Sequence, residues 1–533
     1  MTQLKIDKMK SFKYLTAGLL LAISTTACNK IIDIDPISNI GVDAFYRNYE
    51  ETKVALTGSY SGLQKPLEFE WMLTDLRTDN SKQGVANSSA TINFEFNDLD
   101  MFTLNSAHDK VYQYWLMTYK NLRSINYVLK SLGATYAGGQ TTLGEGTAKM
   151  TQQQKNQLAG EALFLRAYHY FNLVRLYGDV FLVTEPVDPE QSKKINRTPI
   201  ADCYQLITAD LLAAKDLLSQ APYSASTNTD AGHATSWAAK TLLAKVYLST
   251  NRGSSALPLL DDVISNSGYG MLPSFSDVFS INNEMNKEIL FAVRFKAGGF
   301  GLGNLMGNNF APTSSGSAVI NGDGSGYNYP TNDLDVTYKT PATGATDGRK
   351  AVTMAKYNAK LYVKKFISPV LVKFDGENDF PVLRFSDVLL MKAEALGFGT
   401  ASVNLINDVR ARAGAVDYVT GDFNTGFYKY PTDGSANAIA TPAQFLTALL
   451  NERRLEFAFE NQRFFDLVRT GQAITVIKNH FALEFDAHYK AYRPAFTLAE
   501  LQAHLTAEKL LLPIPQRELD ANDQIKIVQN PGY

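Results

Sequence analysis

The strongest order along the chain is a helical period. From Gln152 to Tyr177, Leu158, Ala162, Leu163, Ala167, Tyr170, Phe171, Val174 and Tyr177 recur at three- and four-residue steps, which places them on one side of a long helix. Gly178 and Asp179 follow and stop it. The same spacing predicts helices over about 43–64, 108–132, 200–219, 235–250, 254–267, 383–398, 401–413 and 442–469, most of them in consecutive pairs. Ala238, Ala239, Ala244, Ala393 and Ala395 stand where paired helices must approach closely. The pattern predicts a mostly α fold of stacked, tetratricopeptide-like helix pairs, although the strict repeat consensus of about 34 residues is absent.

Between the helices, 65–107, 268–382 and 414–440 change character: they are rich in Gly, Asn, Ser, Thr and Asp and carry scattered aromatics. Loops of that length are usually functional or disordered, and their Phe and Tyr argue against disorder. These insertions are where ligand contacts are expected. Alternating runs at 289–295 and 361–366 predict short strands inside them.

The N-terminus reads as a targeting segment. Lys5, Lys8, Lys10 and Lys13 precede an apolar stretch over 14–23, and the small residues Ser24, Thr25, Thr26 and Ala27 lead into Cys28. A cysteine at that place is where a lipoprotein signal puts the residue that receives the lipid, with the difference that Thr25 stands where leucine is usual. Residues 1–28 are therefore expected to be a lipoprotein signal ending at Cys28, 29–40 a polar tether, and 41–533 one domain; secretion with cleavage nearby is the alternative. Acyl chains contribute about 0.8 kcal/mol per buried CH₂, so several of them on Cys28 would anchor firmly. Only Cys203 remains as a thiol, in an amphipathic stretch, and it reads as a small buried apolar residue.

Composition narrows the classes further. With 45% apolar and 20% charged residues, and no membrane-length apolar run beyond the first thirty positions, the chain reads as a globular domain outside the bilayer. A formal net charge of −2, without clustered Lys and Arg, argues against nucleic acid as a partner.

Four separated segments carry a resemblance. They are 164–180 (FLRAYHYFNLVRLYGDV), 384–395 (RFSDVLLMKAEA) followed by 406–414 (INDVRARAG), 451–469 (NERRLEFAFENQRFFDLVR), and 512–515 (LPIP) with 529–533 (QNPGY). In this order they resemble the SusD/RagB-like family of outer-membrane nutrient-binding lipoproteins. The likeness covers nearly the whole mature chain, and Phe181 departs from the proline usual after Gly-Asp-Val. It implies a non-enzymatic, lipid-anchored protein that captures oligosaccharide at the cell surface for a SusC-like TonB-dependent transporter. Peptide binding on the same fold is the alternative, and a surface hydrolase a more distant one.

Candidate residues fall into two sets. Sugars need ring faces for their C–H surfaces and amides, carboxylates or guanidiniums for their hydroxyls, a mixture found in Trp71, Arg77, Asp79 and Asn80 and again in Tyr327, Asn328 and Tyr329. Glu452, Glu456 and Glu460 recur at four-residue spacing among Arg453, Arg454, Arg463 and Asp466. Successive turns of one helix do not flank a scissile bond from two sides, so these carboxylates, with Arg166, are expected to tie helices together rather than cleave a glycoside. Trp115 is expected in the core. The six histidines lack zinc spacing, so no cofactor is expected. The run 321–326 (NGDGSG) looks like the opening of a calcium loop, but Asn332 stands at the closing position, and a polar turn is the simpler expectation.

Overall fold

The computed structural model describes residues 46–84, 91–225, 231–435, 437–522 and 524–533. The predicted signal, Cys28 and the tether lie outside these residues. Chain order then gives helices α1 (Tyr49–Ser61), α2 (Gln64–Thr74), α3 (Thr91–Asp100), α4 (Asp109–Ser131), α5 (Gln152–Tyr177), α6 (Ile200–Leu217), α7 (Ser236–Ser249) and α8 (Gly253–Asn266). After a long interruption come α9 (Phe385–Leu396), α10 (Thr400–Arg412), α11 (Pro442–Glu456), α12 (Arg463–Arg469) and α13 (Ala473–Glu484).

Local chemistry sets these boundaries. Thr151 and Gln154 form a reciprocal capping box that starts α5, and Gly178, at φ 73°, ends it in a conformation that costs other residues a steric clash. Each of α4 to α10 packs on the next in sequence, so the helices form a serial stack of hairpins. Close approach needs small residues: a Cβ on Gly160 of α5 would lie 2.7 Å from Leu218 Cγ at the end of α6. Ala238, Ala239, Ala244 and Ala393 are fully buried at the α7–α9 end of the stack, and Cys203 is a buried free thiol in α6.

The stack is continuous across the middle insertion, since α8 packs on α9 although 267–384 separate them. A two-stranded antiparallel ribbon closes the stem of that insertion, pairing Ile289–Val293 with Phe380–Arg384, and both strands are buried along their length. The second predicted strand forms as Lys360–Val363 in a hairpin with Met354–Tyr357. Every sheet among the described residues is two-stranded, so the fold is mostly α. One contiguous apolar cluster runs from Leu56 to Ile514.

Two elements differ from expectation. The stretch 65–107 is no open loop: α2 and α3 lie in it, and Leu67, Trp71, Leu73, Phe96 and Leu99 bury against the core. Interspersed Glu, Asn and Asp mask that apolar spacing in the sequence. The predicted helix over 442–469 breaks into α11 and α12, with Phe459 at φ 65° and Asn461 at φ 59° between them. A left-handed phenylalanine costs about 1–2 kcal/mol, and buried polar contacts offset it. Glu460 receives Lys365 and Arg384, Asn461 donates to Glu70, and Arg463 donates to the Leu450 carbonyl.

Candidate functional site

The first set of candidates comes together in space, but inside the protein. Trp71, 1% exposed, packs against Phe96 at 5.5 Å and Phe310 at 5.1 Å, and Phe96 in turn meets Tyr327 at 5.1 Å. Asp79 is bound through Oδ1 and Oδ2 by Arg463, both at 2.8 Å, and lies 3.0 Å from Arg454 Nε. Burial would raise the Asp79 pKa, but the two guanidiniums outweigh it and hold the carboxyl well below its usual range. Arg454 also donates to Asn80 Oδ1. Ser81 donates to Asn328, and the strand Ser81–Lys82 pairs with Tyr329–Pro330. The Tyr329 ring lies over Gly84, where any Cβ would clash with it.

Arg77 donates to the carbonyls of Lys509 and Leu510 and lies 4.3 Å from the ring of Phe464 and 5.1 Å from that of Phe102; burial lowers its pKa to about 10. Six of the seven candidates are thus buried, and only Tyr327 keeps part of its surface open. A side chain without exposed surface cannot stack on a sugar. The sequence correctly picks a dense mixture of rings and charges, yet its work at Trp71, Arg77, Asp79, Asn80, Asn328 and Tyr329 is to fasten the first and middle insertions to α11 and α12.

The second set forms a buried ionic lattice. Glu452 takes Arg349 at 2.6 Å and Arg410 at 2.9 Å; Glu456 takes Arg349, Arg384 and Arg412; Glu460 takes Arg384 and Lys365, both at 2.8 Å. Burial pushes the Glu456 pKa up, but Arg412, Arg384 and Arg349 override it and keep it ionised. Arg453 bridges Asp387 and Asp466, each at 2.7 Å, and Arg166 holds Asp210. Cations from the middle insertion, the ribbon and α10 therefore converge on the end of α11. These carboxylates are sealed from solvent and neutralised, which leaves none of them free to protonate a substrate. In the 321–326 turn the Asp323 carboxylate accepts the backbone N–H groups of Ser314, Gly316 and Gly324. Trp115 is 1% exposed in the core.

The third insertion supplies what the buried seam does not: an open polar cleft. A cavity of about 360 Å³ lies between α10 and residues 417–433, lined by Asn404, Asn407, Asp408, Asp417, Tyr418, Lys429, Tyr430 and Asp433. Its floor is rigid. Asn407 exchanges two hydrogen bonds with the Tyr430 backbone, at 2.8 and 2.9 Å, and Arg410 donates to the Tyr428 carbonyl while lying 4.5 Å from the Tyr430 ring. Tyr418 is braced edge-on by Tyr428 at 5.3 Å and by Phe423 at 5.4 Å. Lys429 pairs with Asp417 at 2.8 Å. Burial raises the pKa of Asp408, opposed by Lys429, and the Ser435 N–H lowers that of Asp433.

Half-buried phenol rings beside amides, carboxylates and an ammonium are the groups that a polyhydroxylated ligand requires. Sequence reasoning marked this insertion but nominated no residue in it. The signal was present, because the rings Tyr418, Phe423, Phe427, Tyr428 and Tyr430 stand among the carboxylates Asp417, Asp422 and Asp433. A second cavity of about 390 Å³ lies between α4, residues 181–195 and the C-terminal stretch, and its walls of Trp115, Tyr119, Phe181 and Ile195 are mainly apolar.

Residues 287–533 match the family described as SusD family, and residues 51–248 match one described as "Starch-binding associating with outer membrane". A SusD-like protein P25 of Formosa agariphila is 24% identical over 97% of this chain and 98% of its own. A solved structure titled "Laminarin binding SusD-like protein" superposes with a TM-score of 0.69 at 23% identity, covering 92% of this chain and all of that one. Surface glycan-binding protein A of Bacteroides thetaiotaomicron in complex with laminarihexaose gives a TM-score of 0.69 at 20% identity, over 90% of this chain and 99% of that one. At these identities the structural likeness establishes the fold.

Proposed function

Because the chain belongs to the SusD/RagB-like family, we propose that it is a cell-surface glycan-binding lipoprotein. It is held on the outer membrane through Cys28, captures oligosaccharide and passes it to a SusC-like TonB-dependent transporter. The observation that carries this reading is the open cleft of tyrosines, amides and carboxylates on an insertion of that scaffold. Relatives described as starch-binding, laminarin-binding and glycan-binding support the ligand class. Capture needs no covalent step, and the sealing of Glu452, Glu456 and Glu460 by cations agrees with that.

The partner reading has support of a different kind. Phe300 is 70% exposed, Leu371 94% and Val372 59%, and they sit on two loops locked together: Asp375 accepts the N–H groups of Gly298 and Gly299, and Asn304 bridges to Gly376. Large apolar side chains held out on ordered loops are a feature of surfaces that meet another protein.

The test is calorimetric titration of the chain against paired panels of oligosaccharides and oligopeptides, with co-purification of the transporter from native membranes. Saturable sugar binding is expected, and so is a transporter in the purified complex. Binding confined to peptides would replace the ligand class, and sustained release of shorter sugars by the pure protein would replace capture by hydrolysis.

A further inference from the structure

We propose that the cleft between α10 and the third insertion is a carbohydrate subsite selective by charge: it takes neutral and amine-bearing sugars and turns away those carrying carboxylate or sulfate. The inference rests on the glycan-binding reading and adds the class of glycan. Its volume, about 360 Å³, is within the range of about 300–1,000 Å³ typical of small-ligand clefts. Tyr418 gives it a ring braced from two sides, so little side-chain entropy remains to be lost when a sugar stacks there.

The charges around it are one-sided. Asp408, Asp417 and Asp433 line the cleft against one ammonium, that of Lys429, which Asp417 already holds at 2.8 Å. The guanidiniums on the same helix are committed below. Arg410 donates to Glu452 and to the Tyr428 carbonyl, and Arg412 to Glu288 and Glu456. A uronate or sulfate entering the cleft therefore finds carboxylates in excess by two and no uncommitted cation among the residues that line it. Hydroxyls and ammonium groups find acceptors. Two uncompensated charges about 7 Å away, in a medium close to water, weaken an anionic ligand by about tenfold relative to a neutral one of the same shape.

The experiment uses the full chain purified in detergent and titrated by calorimetry with three oligosaccharide sets: neutral galactooligosaccharides and gluco-oligosaccharides, deacetylated chitooligosaccharides, and oligogalacturonates. Binding to the first or second set and about tenfold weaker binding to the third is expected, with Tyr418→Ala weakening the preferred sugar at least tenfold. The double variant Asp408→Asn, Asp433→Asn, at exposed positions, should raise the acidic-to-neutral affinity ratio about tenfold; its melting temperature is recorded to show that it is folded. Sugar binding that ignores both variants, or acidic sugars bound as tightly as neutral ones, overturns the inference while leaving glycan capture intact. Failure of every set to bind overturns the glycan reading, and this inference with it.

Discussion

Replacing Asp79 by asparagine separates a structural seam from a ligand site. The carboxylate accepts two charge-assisted hydrogen bonds from Arg463 and lies 3.0 Å from Arg454, and all three side chains are almost fully buried. An amide keeps the shape but removes the charge, leaving two guanidiniums underpaired. Arg463 retains the Leu450 carbonyl, and Arg454 retains Asn80 and Asp333. Breaking a buried pair from one side costs about 3–5 kcal/mol. A chain of 533 residues unfolds with an entropy of about 1 kcal/mol/K near its midpoint, so calorimetry should record a fall of about 3–5 °C at pH 7. The folded pKa of Asp79 lies below its unfolded value, so this stabilisation is present above about pH 4 and disappears as pH falls through the folded pKa. The gap between wild type and variant should therefore be full at neutral pH and narrow in acid. Glycan affinity of the folded variant should stay within twofold. A melting temperature that does not move, together with a tenfold loss of sugar affinity, would refute the reasoning and return Asp79 to the ligand surface.

Asp75 should behave oppositely. Burial lifts its pKa to about 8, so the folded state keeps a proton that the unfolded chain releases near pH 4; stability from this group is greatest in acid and declines as pH rises toward 8. Asp75→Asn should therefore raise the melting temperature relative to wild type by an increment that grows between pH 5 and pH 8.5, and a pH-independent difference would count against the assignment. Cys28→Ser should move the protein from the membrane pellet to the soluble fraction on cell fractionation, and unchanged pelleting would rule out the lipid anchor. Phe300→Ser combined with Leu371→Asp should reduce transporter co-purification at least tenfold while sugar titrations change less than twofold, and an intact complex would exclude this patch as the contact.

The helical stack was legible because its determinants are local. Period, caps and small residues at contacts all lie within one or two turns of each other, so α5, with Thr151 capping it, Gln154 in its first turn and Gly178 after it, could be bounded nearly to the residue. What failed was non-local. The break after Glu456 exists because Lys365, Arg384 and Glu70, between 70 and almost 400 positions away in sequence, require Glu460 and Asn461 to leave the helical path. No window centred on 442–469 contains that information.

The candidate site was misjudged for a related reason. Residues 71–80 offer the right chemistry for a sugar, and the sequence could not show that Arg454, Arg463 and the Tyr329 strand come back to cover them. Arg and Asp buried in pairs look, residue by residue, the same as Arg and Asp waiting for a ligand. The distinguishing quantity is whether each charge is already matched, and that depends on the whole chain. By the same criterion the third insertion stands out: Asp408 and Asp433 face a cavity without a bound cation of their own, whereas every carboxylate at the end of α11 already has one. In a scaffold this heavily cross-linked by internal ion pairs, the carboxylates left over at a cavity, not the densest cluster of charge, mark where a ligand can form bonds.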